Sequence, residues 1–160
     1  MCQYCGCQQI ESIGELTREH DAVVVAAGVV VRQVDAGDLG AAAATCRRIV
    51  ELLRPHTSVE EGGLFPCLAT DFPHHVHVLR AEHREIEAVL AESTHTVPLD
   101  PSWPARLLAT LDVLREHILK EQDGLFPAAL VALDTDQWER IDEIRARVGS
   151  ALPVAHPSRA

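Results

Sequence analysis

A histidine and a glutamate stand four residues apart at His56 and Glu60, and again at His117 and Glu121. Each pair is followed by the same Gly-Leu-Phe-Pro run, at residues 63–66 and 124–127. On a helix, positions i and i+4 lie about 40° apart around the axis, so each pair projects an imidazole and a carboxylate from one face. A single histidine precedes each pair in matching dipeptides, Glu19-His20 and Glu82-His83. Burying His20, His56, His83, His117, Glu60 and Glu121 together places two carboxylates and four imidazoles in an apolar interior, a costly arrangement unless a cation pairs them. One metal ion is overprovided by such a set. Two ions sharing both carboxylates would each receive two imidazole nitrogens and two oxygens, with positions left open. Imidazole with carboxylate suits iron, manganese or zinc. Any one of these histidines, taken singly, fits an ordinary core residue bonded to a backbone carbonyl; the repetition and the shared helical phase favour a metal site.

These side chains need helices to position them, and the apolar residues recur at helical steps. Ile13, Leu16, His20, Val23, Ala27 and Val31 share one stripe. A second segment runs from about Leu39 through Cys46, Ile49 and Leu53 to His56 and Glu60, with Pro55 expected to kink or restart it. Val76, Leu79, His83, Ile86 and Leu90 form a third, and Leu107, Thr110, Leu114, His117 and Glu121 a fourth. A shorter fifth helix is expected from Asp136 to Val148, capped by Asp134 or Thr135. No convincing strand alternation appears. Short connections then predict an all-α, up-down-up-down four-helix bundle made of two helical hairpins, each carrying one lone inward His and one His-Glu pair. The expected division is a Cys-rich segment at 1–11, the bundle at 12–148 and a flexible tail at 149–160. Gly-Leu-Phe-Pro reads as a helix end whose Leu and Phe plug the bundle, and Glu61, about 140° around the helix from His56, is expected to point elsewhere. His74, His75 and His77 are expected at the surface, out of phase with Val76 and Leu79.

Charge narrows the partners. With 14 Lys and Arg against 24 Asp and Glu, the formal charge of −10 disfavours nucleic acid and anionic membranes as partners. Apolar runs such as residues 22–31 are too short to span a bilayer, and the start lacks the n- and h-regions of a secretory signal, so the expected location is cytoplasmic. Nothing in the sequence identifies a protein partner. Three cysteines crowd the N-terminus as Cys2, Cys5 and Cys7; in a reducing compartment that spacing reads as redox or metal chemistry before a structural disulfide. Cys46 and Cys67 read as packed in or beside the core.

The placement of His20, His56-x3-Glu60 before Leu64-Phe65-Pro66, Glu82-His83, and His117-x3-Glu121 before Leu125-Phe126-Pro127 resembles the bacterial hemerythrin-like, or HHE cation-binding, domain over residues 12–130. The Cys-rich start is similar to that of small actinobacterial members. The resemblance implies a four-helix bundle around a non-haem, oxo- or hydroxo-bridged pair of iron ions, with Glu60 and Glu121 as bridging carboxylates and a small ligand: oxygen, nitric oxide or peroxide. Members also take part in repairing iron centres. Two departures from the oxygen-carrying hemerythrins stand out. Glu87 occupies the place of a second third-helix histidine, which makes it a candidate additional ligand or outer partner. Gln122 occupies the place of the fourth-helix aspartate, which leaves Glu121 to serve. Both changes point away from reversible oxygen carriage and towards peroxide, in a catalase-like reaction, or nitric oxide. A non-catalytic module that senses oxygen or iron, or donates iron, is the alternative.

Overall fold

Helices account for nearly all of residues 10–152, the part of the chain that the computed structural model describes, and no strand occurs among them. Four helices are long: α1 (Glu11–Asp35), α2 (Leu39–Val59), α4 (Pro73–Ala91) and α5 (Trp103–Lys120). Two short ones, α3 (Phe65–Leu68) and α6 (Phe126–Ala132), follow α2 and α5, and α7 (Thr135–Val148) completes the set. Helix α1 packs on α2 and α5, and α4 packs on the same two, so the four long helices close a ring of neighbours. Helix α7 lies outside that ring, against α2 and α1. Its start is fixed by a reciprocal cap in which Asp134 accepts from the Gln137 N–H while the Gln137 side chain accepts from the Asp134 N–H.

Two apolar clusters fill the ring, and a polar layer separates them. Val23, Leu53, Ile86, Leu114 and Ile118 belong to one cluster; Leu16, Val59, Leu79, Leu125 and Phe126 belong to the other. His20, His56, His83 and His117 fall between members of the two clusters on their own helices, which puts all four imidazoles at one level. The α1 stripe departs from expectation beyond Val23: Val30 is fully buried, and Val31 is 38% exposed. Eight residues past Val23 a helix has turned about 80° too far, whereas seven bring it back to within about 20°.

Pro55 lies inside α2, which neither ends nor restarts there. Burial of Leu52, Leu53, His56 and Val59 around it holds the segment helical against the roughly 3 kcal/mol an interior proline costs. The Gly-Leu-Phe-Pro runs also differ from expectation. Each is a π-helical turn, Glu60–Leu64 and Glu121–Leu125, from which the chain continues as helix. Phe65 donates its N–H to the Glu60 carbonyl and Phe126 to that of Glu121, bonds five residues long in place of four. Pro66 and Pro127 explain the widening, since a proline lacks an N–H and its ring clashes with the carbonyl four residues back. Leu64, Phe65, Leu125 and Phe126 are buried, as plugs should be.

The two copies of this turn differ in what covers them. A Cβ on Gly63 would meet Ile141 and Ile144 of α7 at 3.2 Å, whereas one on Gly124 would meet nothing within 4 Å. Gly63→Ala should therefore destabilise the fold by about 1–3 kcal/mol through overpacking. Gly124→Ala should be neutral or stabilising by up to about 1 kcal/mol. Urea denaturation of both variants checks the contrast.

Residues Gly149 to Leu152, assigned by sequence to the tail, pack on the bundle: the Ser150 hydroxyl donates to Glu19, and Ala151 and Leu152 rest on the core. Cys2, Cys5 and Cys7 lie outside the described residues. Cys46 is buried and Cys67 half-buried, both as free thiols. His74, His75 and His77 are exposed.

Candidate metal centre

The four helices and two π-turns bring six side chains into one buried layer. His56 Nε2 lies 3.2 Å from Glu60 Oε2 and His83 Nε2 lies 3.3 Å from the same oxygen. His117 Nε2 lies 3.1 Å from Glu121 Oε1, and His20 Nε2 lies 3.2 Å from Glu121 Oε2. Among the described residues, two groups offer converging donor atoms: His20, His56, Glu60 and Glu121, and Glu60, His83, His117 and Glu121. Both carboxylates belong to both groups. This is the arrangement two cations sharing two bridges require.

Orphaned polar atoms give the test of fit. The Nε2 atoms of His20, His56 and His117 and all four carboxylate oxygens of Glu60 and Glu121 are buried without a hydrogen bond. Their close approaches lack hydrogen-bond alignment, and several such atoms in one place cost the fold about 1–3 kcal/mol each unless something else pairs them. Electrostatics agrees. Burial alone would raise the Glu60 carboxyl, yet the His56 and His83 rings hold it well below the usual carboxylate range. Burial and the neighbouring Glu60 charge both act to raise Glu121, and His117 and His20 outweigh them, so it too is lowered. Burial pulls His56 and His83 down, but the carboxylates push them up to about 10 and about 9. His117 is raised in the same way against its burial. His20 alone is lowered, by burial and by the adjacent His56. In the protein alone, protons on imidazole thus balance two anionic carboxylates. A pair of divalent or trivalent cations fits the same demand.

Each imidazole is aimed by a partner on its far nitrogen. Glu19 Oε2 lies 3.1 Å from His56 Nδ1, Glu82 Oε2 lies 3.0 Å from His117 Nδ1, and Glu61 Oε1 lies 3.0 Å from His83 Nδ1. Gln122 Nε2 faces His20 Nδ1 at 3.3 Å. Such partners hold the ring orientation and leave Nε2 to point inward. Glu61 therefore does point away from His56, but onto the histidine of a neighbouring helix, a role its helical phase on α2 did not reveal. Glu19 and Glu82 carried a signal, as the residues before His20 and His83 in both repeats. Behind Glu19 stands Arg145 of α7, which donates from Nη1 to Oε1 at 2.9 Å and from Nη2 to Oε2 at 3.0 Å. Behind Glu82 stands the exposed Lys120.

The rings and their apolar neighbours also shape a small space. His20 stacks on Phe126 and His83 on Phe65, with centroids 5.7 and 5.5 Å apart, which closes one end of the layer. Towards the other end, Leu53, Ile86, Leu114 and Ile118 wall a cavity of about 10 Å³ against the imidazoles, room for one water-sized group. Glu87 is not among the converging donors. It is exposed, and with Thr57 and Leu53 it lines both this cavity and a groove on the outer surface.

No helix among the described residues is long and apolar enough to cross a membrane. No curated protein and no solved structure is similar enough to match the chain. The family model of the hemerythrin HHE cation-binding domain matches residues 11–129, which takes in α1 to α5, the first part of α6 and every converging donor. With that match over most of its length and a buried layer of histidines and glutamates suited to cations, the chain belongs to the hemerythrin HHE cation-binding family.

Proposed function

We propose that the protein binds a pair of iron ions between His20 and His56 on one side and His83 and His117 on the other, bridged by Glu60 and Glu121, and uses them to bind and react with one small oxidant. Manganese or zinc would suit the same donors. The observation that carries this reading is the set of buried, unpaired Nε2 and carboxylate atoms facing one another across the layer. Iron bound there would supply Lewis acidity and a change of oxidation state to a single small ligand. The protein's own residues do the rest. Glu19, Glu82 and Glu61 hold the imidazoles in register, while Leu53, Ile86, Leu114 and Ile118 keep bulk water out. A cavity this small leaves no room for an organic substrate, in keeping with a ligand as small as peroxide, oxygen or nitric oxide. Thr57 and Glu87, shared by the cavity and the outer groove, mark the route by which such a ligand enters, with Glu87 serving at the rim in place of a ligand.

The favoured reaction is a catalase-like turnover of peroxide, with nitric oxide binding next; a non-catalytic oxygen- or iron-responsive module is the alternative. Reconstitution with ferrous iron followed by peroxide separates them. Gas evolution over many turnovers is the expected result, and a single stoichiometric spectral change would establish the binding module instead.

A further inference from the structure

The two halves of the site mirror one another in their converging donors and differ in the residue that follows each glutamate. The residue after Glu60 is Glu61, which reaches His83; the residue after Glu121 is Gln122, which reaches His20. A carboxylate can only accept a hydrogen bond, so Glu61 at 3.0 Å requires the proton on His83 Nδ1 and leaves Nε2 free to bind a cation. Glu19 and Glu82 impose the same on His56 and His117. Gln122 does not. Its neutral amide faces His20 Nδ1 at 3.3 Å and can meet either tautomer of the ring, through its N–H or through its oxygen. When His20 serves a cation through Nε2, the amide oxygen is the acceptor for Nδ1–H, a neutral partner weaker than the carboxylate that Glu61 offers His83.

The outer charges differ in the same sense. Glu19, behind the His20/His56 pair, is neutralised by the buried Arg145, with Glu15 further out on that guanidinium. Behind the His83/His117 pair, Lys120 offsets Glu82, and among the described residues no Lys or Arg meets the Glu61 carboxylate; Arg80 donates only to the Glu61 backbone carbonyl. The cation between His83 and His117 is thus backed by carboxylates in direct contact with both imidazoles, whereas the one between His20 and His56 has a carboxylate on His56 alone.

Resting on the paired-ion reading above, we infer that the two cation positions are inequivalent: the His83/His117 position fills first and holds tightly, and the His20/His56 position fills second and is the labile one, with Gln122 setting the difference. The site could then keep one ion while exchanging the other. Calorimetric titration of the metal-free full chain with ferrous iron, oxygen excluded, tests it. Two successive binding events are expected. Gln122→Glu, which copies the Glu61–His83 contact in the mirror position, should strengthen the second event about 10- to 100-fold and leave the first in place. Glu61→Gln should weaken the first event by a similar factor. Gln122→Ala, which leaves no charge to bury, should weaken only the second. Proton spectra at one equivalent of iron should show hyperfine-shifted ring N–H signals that are altered by Glu61→Gln and untouched by Gln122→Ala. Two ions bound with a second event indifferent to residue 122 would overturn this inference alone. Uptake of fewer than two ions in the described site would overturn it together with the paired-ion reading.

Discussion

Stripping the metal from the folded protein with a chelator is expected to lower its melting temperature by about 8–16 °C. The figure follows from mass action. A ligand present at about a thousand times its dissociation constant stabilises the native state by about 4 kcal/mol, and each kcal/mol moves the midpoint of a domain of this size by about 2–4 °C. The physical source of the effect is the polar layer itself. Glu60 and Glu121 are fully buried and their oxygens lack hydrogen bonds, so the metal-free fold retains two desolvated anions whose only compensation comes from protonated imidazoles. Thermal melts with and without chelator measure the shift. In a Glu121→Ala variant, which removes a bridge common to both donor groups, chelation should move the midpoint by a small fraction of the wild-type shift. Equal shifts in the two proteins would place the metal elsewhere.

The second large effect concerns α7, which lies beyond the stretch matched by the family. Arg145→Met should destabilise the protein by about 3–5 kcal/mol, because it strips Glu19, which has no solvent exposure, of its guanidinium and of two of its hydrogen bonds. Burial would on its own raise the Glu19 carboxyl, and His56, Arg145 and Ser150 together keep it lowered. Loss of Arg145 removes two of the bonds that fix that carboxylate and favours its protonated form, which no longer aims His56, and iron affinity should fall about 10- to 100-fold as well. Pairing the change with Glu19→Gln should recover most of the stability, since no buried charge then remains, but not the affinity. The mirror position supplies the control. Lys120 is 47% exposed where it meets Glu82, so Lys120→Met should cost no more than about 1 kcal/mol. Denaturant midpoints for the three variants, with iron titrations alongside, decide whether α7 acts as a brace for the site.

How far the sequence could be read follows from which interactions are local. His-x3-Glu places both groups on one helical face by geometry alone, and the phase of Leu16, Val23, Leu79 and Ile86 around His20 and His83 carries those rings inward. Both are properties of single helices. The aiming contacts are not: Glu61 to His83, Gln122 to His20 and Arg145 to Glu19 each join different helices, and no spacing along the chain encodes which partner is met. The only trace was repetition, in the glutamate before His20 and before His83 and in the position after Glu60 and after Glu121. The π-turns were misread because glycine and proline together mark a helix end as readily as a widened turn; what decides is whether the chain beyond the proline packs on as helix, as α3 and α6 do, a tertiary fact. Pro55 was overweighted for the same reason, since packing on both sides of it outweighs the local cost.

The central claim is that two cations sit between the four imidazoles and share two carboxylates. Anomalous diffraction at the iron edge, from crystals of the protein as purified, tests it most directly. Two peaks are expected within the buried layer, one flanked by His20 and His56 and the other by His83 and His117, with Glu60 and Glu121 between them. A layer free of anomalous signal, with the metal absent or bound at another part of the chain, would contradict the account.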